Sequence, residues 1–228
     1  MLAILQARMS STRLPGKVLA DVNGVPMILR QLDRVRRAKS IHHIVVATST
    51  HDSDNQLADY VRSQGFDVHR GSLEDVYLRY CSTLERFSAD HFVRLTADCP
   101  LADWEVIDTV VGEHLKSGAT YTSNTLLRTF PQGLDVEVAN VDDFLSLREA
   151  SLSEFEREHV MPAFYNNTRG FLTKNVVQEV DQSTYRWTVD TQGDLDFVRG
   201  VYSTFDPATD FTTDDIFNSI PDSEQRKN

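Results

Sequence analysis

The stretch that decides the fold is LAILQARMSSTRLPGK, residues 2–17. It opens with four apolar residues, which is typical of a buried strand. The twelve residues that follow carry three cations, three hydroxyl side chains and a Pro-Gly turn, with no acid to neutralise them. A loop at the carboxyl end of a strand lies where open α/β sheets bind ligands, and its backbone N–H groups can cradle phosphate oxygens. We therefore expect Arg8, Arg13 and Lys17 to offset phosphate charge.

Beyond this loop, short apolar runs alternate with helical patterns. The strand-like runs are residues 2–6, 43–48, 66–70 and 91–95, and the helical patterns cover residues 26–37, 54–64, 73–87 and 103–116. Such alternation is the signature of a mostly parallel sheet flanked by helices. The first half of the chain therefore predicts an α/β fold.

From about Tyr121 the alternation loosens. We interpret residues 121–180 as a small excursion from the sheet, within one domain spanning residues 1–228, that builds the far wall of the site. A strand over 185–189 and a helix over 194–202 restore the regular pattern, and the polar tail beyond them is predicted to fray. Other predicted pieces are strands near 134–138 and 171–177 and helices near 142–150 and 153–164.

The charge of the chain is unevenly spread. The net charge of −11 argues against a general nucleic-acid binder, yet residues 1–39 hold eight Lys or Arg and two Asp or Glu, a local +6. A basic region on an acidic protein indicates a specific anionic ligand. For five of these cations we favour a plainer interpretation, the solvated face of one helix: Arg30, Arg34, Arg36, Arg37 and Lys39.

Features that the sequence lacks predict the location of the protein and the role of its two cysteines. Its apolar runs are far shorter than the ~20 residues of a membrane helix, so no membrane partner is expected. The start of the chain lacks the basic region and cleavage site of a secretory signal, which predicts a cytoplasmic protein. Cys81 and Cys99 form no C-x-x-C pair and are predicted to be small buried residues.

Two aspartates follow strand-like runs. Asp98 comes after residues 91–95 and precedes Pro100, while Asp190 comes after residues 185–189. Each carboxylate is well placed to hold Mg²⁺ on a nucleotide, although an aspartate before a helix is also a common cap. Thr191 would serve equally well as the cap and would leave Asp190 free.

A set of motifs resembles a known family. The loop continues into DVNGVPM (21–27), and further matches are IVVAT (44–48), RGS (70–72), RY (79–80), RLTADCPL (94–101), QGLDVE (132–137), REHV (157–160) and RWTVDT (186–191). Together they resemble the sugar cytidylyltransferases. They are similar to the CMP-KDO synthetases and closer to the spore coat polysaccharide biosynthesis protein F family, whose members resemble acylneuraminate cytidylyltransferases.

The resemblance implies a Rossmann-like nucleotide-diphospho-sugar transferase fold and an enzyme. That enzyme would join CTP to an acidic sugar with release of pyrophosphate, for surface polysaccharide or glycoconjugate biosynthesis. It also implies a homodimer formed through residues 121–180, where many large apolar groups lie in a segment too short to enclose them. These groups are Phe144, Leu145, Phe155, Phe164, Tyr165, Phe171 and Leu172.

Site residues are carried over by position. Arg13, Lys17, Asp98 and Asp190 are expected to be catalytic, and the two aspartates are expected to hold Mg²⁺. Sugar contacts are expected from Gln132, Asp135, Glu158 and His159. The nucleotide-binding set comprises Gln6, Ala7, Arg8, Met9, Ser10, Arg13, Lys17, Arg70, Gly71, Ser72 and Asp98.

Several alternatives stay open. Ser72 could simply cap the third helix, and His159 could satisfy a hydrogen bond in the core. The enzyme could use another nucleoside triphosphate with a sugar 1-phosphate. A catalytically silent sugar-nucleotide-binding subunit would be marked by loss of an aspartate or a loop cation, and none of these residues is missing. The loop matches neither a Walker A nor a dinucleotide-binding motif, and no histidine cluster suggests zinc.

Overall fold

The computed structural model describes residues 1–166 and 169–227, and a seven-stranded sheet forms its centre. In space the strands follow the order β5-β4-β1-β6-β8-β7-β9, and among them β8 alone runs antiparallel to its neighbours. The predicted mostly parallel sheet is confirmed. A separate two-stranded hairpin joins β2 to β3. The strands are β1 (Leu2–Gln6), β2 (Asp21–Val22), β3 (Val25–Pro26), β4 (His43–Ser49), β5 (Asp67–Gly71), β6 (His91–Thr96), β7 (Tyr121–Ser123), β8 (Glu137–Asn140) and β9 (Thr173–Asn175).

Helices cover both faces of this sheet. Because successive side chains of a strand point to opposite faces, β1 contributes to two cores. Ala3 and Leu5 belong to the core that includes α1, α4 and α8, whereas Leu2 and Ile4 belong to the core that includes α3, α5 and α7. The helices are α1 (Met27–Val35), α2 (Asn55–Ser63), α3 (Val76–Arg86), α4 (Trp104–Ser117), α5 (Val141–Ser146), α6 (Glu154–His159), α7 (Pro162–Tyr165), α8 (Gln192–Phe205) and α9 (Thr213–Ser219).

The segment 121–180 is part of the sheet. Strands β7, β8 and β9 extend it beyond β6, with Phe92 opposite Ala139 and Val93 opposite Val138. The predicted excursion is therefore wrong for the strands, because pairing between distant segments leaves no local pattern in the sequence. The predicted helix over 153–164 is divided into α6 and α7, and the break is at Val160, whose φ is +72°.

The end of the chain differs from prediction in two ways. Residues 185–189, predicted as a strand, make isolated bridges instead, one of which pairs Tyr185 with Lys227. The tail, predicted to fray, is ordered against this segment, where the backbone N–H of Arg186 donates to the carbonyl of Arg226 at 2.9 Å. The tail thereby supplies a partner for backbone groups that a sheet would otherwise have paired.

The large apolar side chains of residues 121–180 fall into two groups. Phe144 and Phe164 are fully buried within the chain. Phe155 and Leu172 are 55% and 59% exposed. Packing within the chain therefore accounts for Phe144 and Phe164. It does not account for Phe155 and Leu172, so the homodimer stays a prediction.

Candidate functional site

A cleft of about 390 Å³ opens at the carboxyl ends of β1 and β6. Ser11, Thr12, Val18, Thr96 and Ala97 also line it, although none of them was among the predicted site residues. A larger cavity of about 570 Å³ lies at the opposite edge of the sheet, and none of the predicted site residues lines it. The predicted residues that meet in the cleft are Gln6, Ala7, Arg8, Arg13, Lys17, Asp98, His159 and Asp190.

The basic loop is held by a carboxylate that the sequence analysis missed. Asp54 is fully buried and accepts hydrogen bonds from the backbone N–H of Met9 at 2.8 Å and from the hydroxyl and backbone N–H of Ser49. The loop also closes on itself, since the N–H of Gly16 donates to the carbonyl of Met9 at 3.0 Å. These bonds hold the backbone of the loop that carries Arg8, Arg13 and Lys17.

We expect Asp54→Ala to destabilise the fold by about 1–3 kcal/mol, because it leaves buried donors of Met9 and Ser49 without an acceptor. The loop should loosen as well, so nucleotide binding should weaken. Urea denaturation gives the first effect, and calorimetric titration with CTP, the nucleotide expected from the sequence, gives the second. An unchanged free energy of unfolding would show that Asp54 does not anchor the loop.

Lys17 joins the two predicted metal ligands. Its ammonium donates to Oδ1 of Asp190 at 3.0 Å, to Oδ2 of Asp98 at 3.4 Å and to the carbonyl oxygen of Val189 at 2.7 Å. The side chain of Lys17 is 11% exposed. Two carboxylates separated by 92 residues in sequence thus meet at one cation.

Asp98 is held from both sides. The Thr96 hydroxyl donates to its Oδ1 at 2.7 Å, and its backbone carbonyl accepts from the N–H of Val189 at 2.8 Å. Burial alone would raise the pKa of Asp98, but the Lys17 ammonium and the Thr96 hydroxyl outweigh burial and lower the pKa. Asp98 is therefore ionised at neutral pH.

The loop after Asp98 is anchored by a residue predicted to be solvated. Arg34 is buried, with its guanidinium over the rings of Trp104 and Phe211. Its Nε donates to the carbonyl of Ala102 at 2.7 Å. The solvated-face interpretation is wrong for Arg34, since an aromatic enclosure is not visible in local sequence, whereas Arg36, Arg37 and Lys39 are exposed as expected.

Asp190 is free of a capping role. Thr191 is the N-cap of α8, and Asp194 completes its capping box. Asp190 instead receives Arg13 on Oδ1 at 2.9 Å and Arg186 on Oδ2 at 2.7 Å. The carboxylate therefore points toward cations rather than toward a helix end.

Behind Asp190 stands a second carboxylate that sequence reasoning missed. The side chain of Asp194 is 2% exposed and accepts from Arg186 at 2.8 Å, from Arg226 at 2.9 Å and from the N–H of Asp190 at 3.0 Å. Burial alone would raise the pKa of Asp194, but these hydrogen bonds lower it far below its ordinary value. Asp194 thus fixes Arg186, which in turn fixes the Asp190 carboxylate.

The two aspartates fit a divalent cation. Carboxylate and carbonyl oxygens are the ligands that Mg²⁺ accepts, and the Lys17 contacts show that the position already stabilises positive charge. Within residues 1–166 and 169–227, no group of three or more His, Cys, Asp or Glu side chains is arranged to hold a metal. The protein alone therefore offers few ligands, and the phosphates of a bound nucleotide would complete the set.

Residues 70–72 lie outside the cleft lining. All three guanidinium nitrogens of Arg70 donate to structural partners, which are the carbonyls of Ser49 and His51 and the side chain of Asn55. At Gly71 a Cβ would meet the backbone of Arg79 at 3.1 Å, so the glycine permits close packing on α3. Met9 and Ser10 are likewise absent from the lining.

Ser72 has a local role without being the cap of α3. The backbone N–H of Asp75 donates to its hydroxyl at 3.0 Å. Asp75 itself caps α3 by accepting from the N–H of Leu78 at 2.8 Å. The alternative that Ser72 caps this helix is therefore wrong.

The expected sugar contacts are spread over two places. Gln132 and Asp135 lie outside the main cleft, and Asp135 forms a two-point ion pair with Arg128 at 2.5 and 2.8 Å. Gly133 between them allows the backbone to approach Trp187, whose carbonyl carbon would lie 2.9 Å from a Cβ.

The remaining two expected sugar contacts lie near the loop. Glu158 lines a neighbouring cavity of about 420 Å³ that it shares with Arg8 and Arg157. His159 lines the main cleft with its ring 4.3 Å from that of Phe155, and it is exposed, so the core alternative is wrong.

A half-buried ion pair behind Gln6 also escaped the sequence analysis. Arg94 pairs with Glu137 and donates to the side-chain oxygen of Gln6 at 3.3 Å, and Glu137 accepts from the Tyr121 hydroxyl at 2.6 Å. Burial alone would lower the pKa of Arg94, but the Glu137 carboxylate raises it, so Arg94 remains a cation. Arg94 lies in the motif RLTADCPL (94–101) and Glu137 in the motif QGLDVE (132–137). These motifs were the signal in the sequence that could have identified the pair.

Solved structures of other proteins have the same fold. A solved cytidylyltransferase from Leptospira borgpetersenii superposes with a TM-score of 0.90 at 31% identity, covering 95% of this chain and 91% of that one. A CMP:2-keto-3-deoxy-manno-octonic acid synthetase solved with CTP has the same fold, with a TM-score of 0.65 at 17% identity over 89% of this chain and 98% of that one. The fold is that of a Rossmann-like nucleotidyltransferase.

Sequence comparison identifies the family of nucleotidyltransferases to which the chain is related. A family model described as cytidylyltransferase matches residues 2–211. The spore coat polysaccharide biosynthesis protein SpsF of Bacillus subtilis is 32% identical over 88% of this chain and 85% of its own length. The chain belongs to the cytidylyltransferase family. No described helix is long and apolar enough to cross a membrane.

Proposed function

We propose that this protein is a cytoplasmic, Mg²⁺-dependent enzyme that couples CTP to an acidic sugar for polysaccharide or glycoconjugate biosynthesis. The observation that carries the proposal is the meeting of Asp98 and Asp190 at Lys17, beside a basic loop at the carboxyl edge of a parallel sheet. Membership of the cytidylyltransferase family supports the choice of CTP.

The loop provides the charge that a triphosphate requires. Among the described residues, no carboxylate lies within ion-pair distance of Arg8, so its guanidinium is available to phosphate oxygens. The side chain of Arg13 is 63% exposed and can turn from Asp190 to the phosphates without disturbing a packed core. Charge-assisted hydrogen bonds of this kind are about twice as strong as neutral ones.

Asp98 and Asp190 would hold the Mg²⁺. When bound, the ion would supply charge stabilisation to the phosphate being transferred. The chain's own contribution is to hold both carboxylates in place, which Thr96, Arg186 and Asp194 do through the bonds described above.

The reaction needs no covalent intermediate on the protein. The sugar hydroxyl oxygen would form a bond to the α-phosphorus while the bond from that phosphorus to the bridging β-phosphate oxygen breaks, and pyrophosphate leaves with the bonding pair. The hydroxyl proton passes to solvent. Positioning and charge neutralisation by Arg8, Arg13 and Lys17 account for catalysis of this type.

One side chain supports an acidic acceptor. His159 lines the cleft and can face a sugar carboxylate. The structural neighbour solved with CTP is named for a keto sugar acid, 2-keto-3-deoxy-manno-octonic acid.

The proposal is tested by a coupled assay of pyrophosphate release. Four nucleoside triphosphates are crossed with a panel of keto sugar acids and sugar 1-phosphates, with Mg²⁺ present or chelated. CTP with a keto sugar acid should give the highest kcat/KM. A preference for another triphosphate with a sugar 1-phosphate would identify the alternative reaction, and no release with any pair would favour a silent binding subunit.

We also propose a two-fold homodimer formed through residues 121–180. Exposed apolar side chains are concentrated there, among them Leu127, Leu172 and Val180. Large exposed apolar surface on a folded chain commonly marks a protein interface, and homodimers are usually two-fold symmetric.

Light scattering during size exclusion should give about twice the chain mass of 25.9 kDa. Leu172→Glu should shift the population toward monomer, because a charge would be buried at the interface. Leu115→Glu is a matched control, since Leu115 is 58% exposed on α4, outside this segment. A mass near 25.9 kDa at every protein concentration would refute the dimer.

A further inference from the structure

The ammonium of Lys17 contacts three oxygen acceptors. Its three acceptors are one carboxylate oxygen each from Asp98 and Asp190 and the carbonyl oxygen of Val189. An ammonium has three N–H donors, so the group is saturated. Two carboxylates and a carbonyl are also what a hard divalent cation would choose as ligands.

From this geometry we propose that Lys17 occupies the metal position in the nucleotide-free enzyme, so that the divalent cation is held only once a triphosphate draws the lysine away. The inference rests on the proposed function, because it uses the same two carboxylates as metal ligands. It adds an order to binding: the metal arrives with the nucleotide or after it.

Charge repulsion prevents the Lys17 ammonium and a divalent cation from lying between Asp98 and Asp190 at the same time. Like charges within about 4 Å repel by roughly 4 kcal/mol in a partly buried site. Lys17 is 11% exposed and its contacts with the aspartates are 3.0 and 3.4 Å, so a second cation between the same oxygens would lie well inside that distance. Lys17 must therefore leave before Asp98 and Asp190 can bind a metal.

The lysine is built to move. It begins the 3₁₀ turn Lys17–Leu19, and its Nζ is carried on a flexible four-carbon stem, so rotamer changes can shift the ammonium while the backbone stays fixed. The oxygens of a triphosphate beside Arg8 and Arg13 together carry more negative charge than the two carboxylates that Lys17 would leave. The same nucleotide then supplies the ligands that the described part of the chain lacks.

Mn²⁺ binding tests the inference without turnover. Free Mn²⁺ is measured by electron paramagnetic resonance for the parent protein and for Lys17→Met, both without nucleotide. We expect Lys17→Met to bind Mn²⁺ at least about 10-fold more tightly, on the scale of removing one charge repulsion. Lys39→Met is the matched control and should leave Mn²⁺ affinity unchanged, because Lys39 is exposed and does not line the cleft.

A second set of titrations adds a non-hydrolysable CTP analogue and follows water proton relaxation to detect protein-bound Mn²⁺. The parent protein should then bind Mn²⁺, and Asp98→Asn should not. Equal or weaker nucleotide-free Mn²⁺ binding by Lys17→Met and by Lys17→Gln, both with parent-like melting temperatures, would overturn the inference while leaving the metal ligands in place. Absence of protein-bound Mn²⁺ even with the analogue would overturn the metal assignment itself.

Discussion

Asp98→Asn and Asp190→Asn are each expected to lower kcat by about 10³-fold or more while the fold stays intact. Each change keeps the shape of the side chain and removes one of the two negative charges that meet at Lys17. A metal held between one carboxylate and one amide would be bound weakly, and the transferred phosphate would lose its charge stabilisation. Steady-state pyrophosphate release at saturating CTP gives kcat, and circular dichroism reports the fold.

Asp59→Asn is the control for these two variants. Asp59 is exposed on α2 and pairs with Arg62 only one turn away, so its loss should change neither kcat nor the melting temperature. Raising Mg²⁺ should recover part of the activity of the site variants if the defect is metal affinity. Parent-like turnover by either Asp98→Asn or Asp190→Asn at ordinary Mg²⁺ would remove that residue from the metal site.

Local patterns were sufficient for the part of the fold that carries the loop. Apolar runs and amphipathic periodicity depend on neighbouring residues, and they predicted β1, β4, β5 and β6 to within one residue of their observed ends. The loop after β1 and Asp98 after β6 also met in space, since β1 and β6 are parallel neighbours whose carboxyl ends lie at one edge. Asp190 meets Lys17 and Asp98 as well, although residues 185–189 form no strand.

Contacts between residues distant in sequence could not be predicted from local patterns. The extension of the sheet by β8 depends on register with β6, and nothing within residues 134–138 reveals that partner. Asp54 and Asp194 read as ordinary polar residues before or inside a helix, yet each is a buried acceptor for groups far along the chain. Their roles come from contacts closed by the fold, such as Asp194 with Arg226, 32 residues apart.

Arg13→Ala and Lys17→Ala are expected to lower kcat/KM by about 10²-fold or more, the scale of losing a charge-assisted phosphate contact in a catalytic site. Both side chains line the cleft, and both now neutralise Asp190, so their removal also leaves that carboxylate less shielded. Isothermal calorimetry with the non-hydrolysable analogue should show weaker nucleotide binding for each.

The prediction for Lys17 can be tested more specifically, because removing this side chain should weaken the affinity for the triphosphate and strengthen the affinity for Mn²⁺. Lys17→Ala should bind the triphosphate more weakly and, without nucleotide, bind Mn²⁺ more tightly, whereas Arg13→Ala should show mainly the first effect, since Arg13 is largely exposed. Arg36→Ala, which loses a surface pair with Asp33, should change neither affinity. Parent-like nucleotide binding by both loop variants would show that residues 7–17 do not cradle the phosphates, since a cradle cannot lose its cations without losing affinity for the anion.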